Sequence, residues 1–217
     1  MRCWISVAAV LTVAVAVLSA ADGIGWKLTR ETLGKLPANW AAAKTGQGEG
    51  SVWKVVADDT APSKSGFVLA QTAESPSAMF NLCVMQGGSF KDVELHVAFK
   101  AIQGAKDQGG GFVWRYQDAN NYYVARMNPL EDNYRLYHVI AGRRTQLETK
   151  EGLKVPTGTW HTLTVKHVGD RIECYLDDQK QLEAKDTTIT KAGKVGLWTK
   201  ADAQTHFDGF QVTDLGH

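Results

Sequence analysis

From Asp22 onward no segment keeps apolar residues at helical spacing for three turns. Instead, period-two alternation and short apolar runs bounded by turn residues recur to the end of the chain. Val93, Leu95, Val97 and Phe99 alternate with Glu94, His96 and Lys100, the pattern of a strand with one core face and one wet face. His96 on the wet face reads as a solvated residue rather than a metal ligand, because no second ligand-type residue shares its facing two positions away. The same reading predicts strands at 52–56, 67–71, 79–84, 93–102, 112–117, 122–128, 133–140, 143–148, 160–168, 171–176, 181–184, 194–199 and 206–213. So many short strands predict an all-β fold of two packed antiparallel sheets, a β-sandwich. No linker or repeat divides them, so residues 22–217 read as one domain. The Gly-rich stretches 45–50 and 104–111 read as surface loops. The second lacks the following helix that a phosphate-binding loop requires.

The middle of the chain permits a register argument. A four-residue loop at 118–121 predicts Gln117 opposite Tyr122, and hence Tyr116 opposite Tyr123, Arg115 opposite Val124 and Val113 opposite Arg126. The loop 129–132 predicts Met127 opposite Tyr134 and Arg126 opposite Arg135. A hairpin at Ala141-Gly142 predicts Leu136 opposite Leu147 and Arg135 opposite Glu148. One face then collects Phe112, Trp114, Tyr116, Tyr123, Met127, Leu136 and Leu147 as core. The other collects Arg115, Arg126, Arg135, Tyr137, Gln146 and Glu148. Three arginines on one face repel unless acids or a ligand's oxygens sit among them. One reading is an exposed salt-bridge lattice, with Glu148 on Arg135 and acids from an adjacent strand on the others. The other is the concave side of a curved sandwich, where Arg and Tyr grip a sugar. A carboxylate or a polarised carbonyl would suit that face well.

The N-terminus adds a separate signal. Arg2 precedes an apolar run from Trp4 to Leu18 and then Ser19-Ala20-Ala21, which reads as a secretory signal peptide over 1–21, cleaved before Asp22. At about 15 residues the run is short of the roughly 20 that a spanning helix needs. The expectation is therefore a secreted, periplasmic or extracellular protein with no stable membrane insertion. The 217 residues carry 24 Lys+Arg and 23 Asp+Glu. Without Arg2 the charges balance, so no long-range field steers the domain to nucleic acid or acidic lipid. Beyond the leader two cysteines remain, Cys83 and Cys174. They read either as one disulfide, suited to an oxidising compartment, or as two buried thiols.

The runs Gly109-Gly110-Gly111-Phe112-Val113-Trp114-Arg115-Tyr116, Asn121-Tyr122-Tyr123-Val124-Ala125-Arg126, Trp160-His161-Thr162-Leu163, Arg171-Ile172-Glu173-Cys174-Tyr175-Leu176-Asp177 and Gly193-Lys194-Val195-Gly196-Leu197-Trp198 carry a resemblance. In order and spacing they resemble the concanavalin A-like lectin/glucanase superfamily, and within it the 3-keto-disaccharide hydrolase domains and their laminin-G-like relatives. The resemblance runs from about Trp53 to Val212. It implies a jelly roll with a concave, carbohydrate-facing surface and a saccharide or glycan as partner. The Glu-x-Asp-x-Glu strand of retaining glucanases does not occur, which disfavours ordinary two-carboxylate cleavage.

A 3-keto sugar has different needs. Its carbonyl acidifies the C2 proton, so one base can start elimination of the C1 substituent while a cation stabilises the enolate. Arg115, matching the family's Gly-rich strand, and Arg126, placed by register, are the candidate stabilisers. Glu148 is the candidate base on their face, with Glu131, Asp132 and Asp118 on hairpin loops that could edge the cleft. Arg135, Tyr137 and Gln146 complete the candidate substrate contacts. His138 falls on the core face and reads as structural. Asp208, sharing a facing with His206, is compatible with a calcium site of the kind jelly rolls hold, and equally with surface exposure. The sequence itself requires no cofactor. The competing functions are an enzyme acting on 3-keto glycosides, a non-catalytic laminin-G-like glycan-binding module, and a structural protein of the envelope.

Overall fold

The structure, a computed structural model, describes residues 24–26 and 28–216. The leader expected at 1–21 and its cleavage point lie outside the described residues. Fifteen strands follow in order: β1 (Ile24–Gly25), β2 (Trp40–Thr45), β3 (Trp53–Ala57), β4 (Phe67–Gln71), β5 (Phe80–Met85), β6 (Val93–Gln103), β7 (Gly110–Asp118), β8 (Asn121–Asn128), β9 (Asn133–Ile140), β10 (Arg143–Glu151), β11 (His161–Val168), β12 (Arg171–Leu176), β13 (Gln179–Lys185), β14 (Lys194–Lys200) and β15 (Gln204–Asp214). An eight-stranded sheet runs β13-β12-β11-β6-β15-β4-β3, with β1 paired to β15. A seven-stranded sheet runs β10-β9-β8-β7-β14-β5-β2. Neighbouring strands are antiparallel throughout. The architecture is the expected jelly-roll sandwich. Among the described residues no helix is long and apolar enough to cross a membrane.

The core lies between the sheets, where Phe112, Trp114, Tyr123 and Leu136 meet Leu95, Val97, Phe99, Leu163 and Phe207. Alternation is the cause, because each strand sends every second side chain inward. Strand β2 was not expected. Its Ala41-Ala42-Ala43 run has weak strand propensity, and it forms by pairing with β5 at the sheet edge. Cys83 on β5 and Cys174 on β12 are both buried free thiols in opposite sheets, so the disulfide alternative is corrected.

The register of β8 against β9 is the expected one, with Arg126 opposite Arg135 and Val124 opposite Tyr137. Two others are corrected. In the β7–β8 hairpin the expected four-residue loop shrinks to Ala119-Asn120, with Asp118 paired to Asn121, and Tyr123 then pairs Trp114 rather than Tyr116, because a bulge absorbs the residues between. Arg115 takes a φ of 42° at this bulge, a left-handed conformation that interrupts the alternation. As a result Arg115 turns inward over the Tyr123 ring, and Tyr116 turns outward to stack on Tyr122. In the β9–β10 hairpin a bulge between Gln146 and Glu148 sets Thr149, not Glu148, opposite Arg135.

The seven-stranded sheet curls strongly. The guanidinium carbon of Arg144, on edge strand β10, lies 5.2 Å from the ring centre of Phe80 on β5 and 5.9 Å from that of Trp198 on β14. In a flat sheet β10 and β5 would stand roughly 24 Å apart, five spacings of about 4.8 Å. Only a sheet bent back on itself brings them together. Its outer face is therefore a trough with a second apolar cluster of Phe80, Leu82, Val113, Tyr122, Val124, Tyr137, Val139 and Trp198 on its floor.

Candidate functional site

The trough is where polar chemistry gathers. Gly111 on β7 stands between Trp198 on β14 and Arg126 on β8. A Cβ there would sit 1.9 Å from the Ala125 carbonyl oxygen, so only glycine fits. Arg126 is 1% exposed. Its Nη1 donates to Asn133 Oδ1 at 2.5 Å, and its Nη2 donates to Glu131 Oε2 at 2.9 Å and reaches the Tyr137 hydroxyl at 3.5 Å. Asn128 Oδ1 accepts from the backbone N–H groups of Leu130 and Glu131, which shapes the turn that presents Glu131. Arg135 closes this edge, with Nη1 3.4 Å from Glu131 and Nη2 3.1 Å from Glu151.

At the same end lies Asp107, also 1% exposed. Its Oδ1 accepts from Asn128 Nδ2 at 3.0 Å, and its Oδ2 pairs with Lys200 Nζ at 2.8 Å. The loop that carries Asp107 is held by Asp202, whose carboxylate accepts from the backbone N–H groups of Ala105, Lys106 and Asp107. Burial raises the Asp107 pKa against the pull of Lys200. For Glu131 burial also acts upward, but Arg126 and Asn133 outweigh it and hold the carboxyl below its ordinary value. The two acids are thus driven in opposite directions, which makes the Asp107 carboxylate the stronger base of the two and keeps Glu131 ionised.

Several donors in the trough are unused. Arg126 Nε and Arg144 Nη1 are buried with no hydrogen-bond partner among the described residues. Trp198 Nε1 stands near the Tyr122 hydroxyl but outside hydrogen-bonding geometry. Buried donors in native folds are ordinarily satisfied, so three open N–H groups on one face of the sheet are a departure that calls for acceptor oxygens.

The residues expected from sequence separate into two groups. Arg126, Glu131, Arg135 and Tyr137 come together here. Arg115 does not. It is 1% exposed, and its Nε donates to Lys91 O (2.8 Å), its Nη1 to Ile189 O (2.8 Å) and its Nη2 to Gly169 O (3.0 Å) and Asp92 (3.3 Å), between the sheets. Glu148 is exposed and accepts only from the backbone N–H of Thr149. Gln146 lies exposed on β10, opposite Tyr137. Asp118 caps the turn at the far end of the β7–β8 hairpin through Asn120 and Asn121, and Asp132 pairs with Lys154.

Asp208, the calcium candidate, spends both carboxylate oxygens on Ser63, accepting from its N–H at 2.7 Å and its hydroxyl at 2.9 Å. No group of three metal-type side chains occurs among the described residues. His96 accepts from or donates to Thr164 Oγ1 on the outer face of the other sheet, as a wet-face residue should. His138 lies beside Asp186.

Sequence reasoning missed Asp107, Arg144, Trp198 and Lys200. Alternation along β14 does place Trp198 and Lys200 on one face. Arg144 had no such signal, because the curl that brings it over β14 is not local.

These features define a jelly-roll sandwich with a polar trough on its smaller sheet. The 3-keto-alpha-glucoside-1,2-lyase-like domain family matches residues 29–213, and the chain belongs to it. It is thus a carbohydrate-related jelly-roll domain. No curated protein sequence matches it. Among solved structures it is similar to the carbohydrate binding module CBM66 from Bacillus subtilis, at TM-score 0.64 and 16% identity over 81% of this chain and 96% of that one. It is also similar to the exoplasmic/lumenal domain of VIP36 in its Ca2+/Man-bound form, at TM-score 0.56 and 12% identity over 88% and 90%. A third likeness is to the GH43 protein BlXynB of Bacillus licheniformis, in a K247S mutant form, at TM-score 0.51 and 15% identity over 83% of this chain and 40% of that one.

Proposed function

We propose that the trough cleaves the glycosidic bond of 3-keto glycosides by elimination across C1 and C2. Asp107 takes the C2 proton, and the C–H electron pair forms the enolate of the 3-ketone. The enolate then expels the C1–O bond, leaving an unsaturated 3-keto sugar, and the departing oxygen takes a proton from Lys200. Arg126 Nε and Trp198 Nε1 donate to the O3 oxyanion as charge develops. Glu131 stays ionised and orients Arg126. The observation that carries this reading is the set of open buried donors beside a carboxyl whose pKa is raised. The N-terminal apolar segment, on this reading, exports the domain.

The test is product release from the purified domain on 3-keto glucosides and on the matching unoxidised glycosides. Turnover confined to the keto substrates is expected, reduced by about 10²–10⁴ in Asp107→Asn and by about 10²–10³ in Arg126→Gln. Absence of turnover on every substrate overturns it. One observation favours the alternative of a glycan-binding module without turnover: Asp107 and Lys200 already satisfy each other in the absence of substrate.

A further inference from the structure

The trough carries four cations and three carboxylates, and their pairing is uneven. Lys200 has Asp107, Arg126 has Glu131, and Arg135 has Glu131 and Glu151. Arg144 has none. Among the described residues no carboxylate lies within ion-pair distance of it and no acceptor receives its Nη1. Instead its guanidinium carbon lies 4.3 Å from the Tyr137 ring centre, 5.2 Å from that of Phe80 and 5.9 Å from that of Trp198. Ring faces attract a cation but accept little hydrogen bonding in the plane of a guanidinium, so they fix the position of Arg144 without neutralising it. Burial lowers its pKa with the help of the positive charge of Arg126, and Tyr137, Asp107 and Glu131 offset this only in part. A half-buried cation beside a second cation, with an unfilled donor, is costly unless something arriving from outside completes it.

A neutral sugar would fill the hydrogen bond and leave the charge. A carboxylate fills both, since its two oxygens match the fork of guanidinium donors.

We infer that the trough selects glycosides bearing a carboxylate, such as a uronic acid residue, and that Arg144 is the specificity-determining residue that receives it. This rests on the trough being the saccharide site proposed above, and it adds the substrate class. The carboxylate lies over the Tyr137–Phe80–Trp198 end, so Arg126 and Asp107 remain free for the sugar carbon centres.

The test is calorimetric titration with two unoxidised disaccharides that differ only in their terminal residue, glucuronic acid against glucose. The acidic one should bind at least about tenfold more tightly to the wild-type domain at low salt, and the ratio should shrink as sodium chloride rises. In Arg144→Gln the ratio should fall to within about twofold, and Arg144→Lys should restore part of it. Circular dichroism melts accompany each variant. If Arg144→Gln does not melt cooperatively, the salt series on the wild type decides alone. Equal affinities in the wild type overturn the inference and leave the saccharide site standing. A preference that survives Arg144→Gln also overturns it, because the acid is then read elsewhere. Binding of neither disaccharide overturns the inference, and turnover of the 3-keto glucosides then decides the saccharide reading separately.

Discussion

Replacing Arg115 with alanine separates a structural arginine from a chemical one. The side chain is 1% exposed and holds four acceptors from three segments: the carbonyls of Lys91, Gly169 and Ile189 and the carboxylate of Asp92. Those segments are the approach to β6, the β11–β12 turn and the stretch before β14, so the arginine ties the seven-stranded sheet to the end of the other. Truncation strands three carbonyls. Each acceptor left dry costs about 1–3 kcal/mol, less where water can enter. Asp92, at 22% side-chain exposure, will be rehydrated. With the inward cavity added, the expected loss is about 4 kcal/mol. For a domain of this size that is a fall in Tm of about 8–16 °C. Urea denaturation followed by tryptophan fluorescence reads the first figure and calorimetry the second. Arg115→Lys should recover less than half, since one ammonium cannot span acceptors on three segments. A loss below about 1 kcal/mol would refute the reasoning. An unchanged melt with abolished turnover would return Arg115 to the chemistry.

Two further outcomes are expected. His167 is fully buried, and its Nδ1 accepts from Trp114 Nε1 at 2.9 Å, so the ring must stay neutral in the fold. Burial, aided by the charge of Arg115, pushes its pKa down to about 4. The unfolded chain takes up this proton near pH ~6.5, so stability is lost as pH falls from there toward 4, by roughly 3 kcal/mol in full. A pH series of urea midpoints should show this limb in the wild type and lack it in His167→Gln. Asp202→Ala removes the acceptor for three backbone N–H groups of the Asp107 loop, so turnover should drop by about tenfold or more while Tm falls by only a few degrees. Limited proteolysis should then cut between 104 and 109, and an uncut loop with full turnover would contradict the role given to Asp202.

Much of this molecule was legible in its residues, and the failures have a common cause. Alternation placed the core of β6 to β9, and the 129–132 turn fixed the Arg126–Arg135 register that the structure carries. Arg126, Glu131, Arg135 and Tyr137 followed from it. Arg115 and Tyr116 exchanged faces because one left-handed residue at a bulge breaks a period-two count. Glu148 left the arginine face through a second bulge, which puts it one residue out of step past Gln146.

Local periodicity, turn chemistry and the resemblance carried by the strand runs therefore determined the fold class, the central hairpins and half of the trough, since these depend on neighbours a few residues apart. Only tertiary structure decided the rest. The curl of the sheet brings Arg144 onto rings four and five strands away, and Asp202 bends a distant loop so that Asp107 meets Lys200. Such meetings depend on how bulges and twist sum across a whole sheet, a quantity that no single stretch of sequence contains.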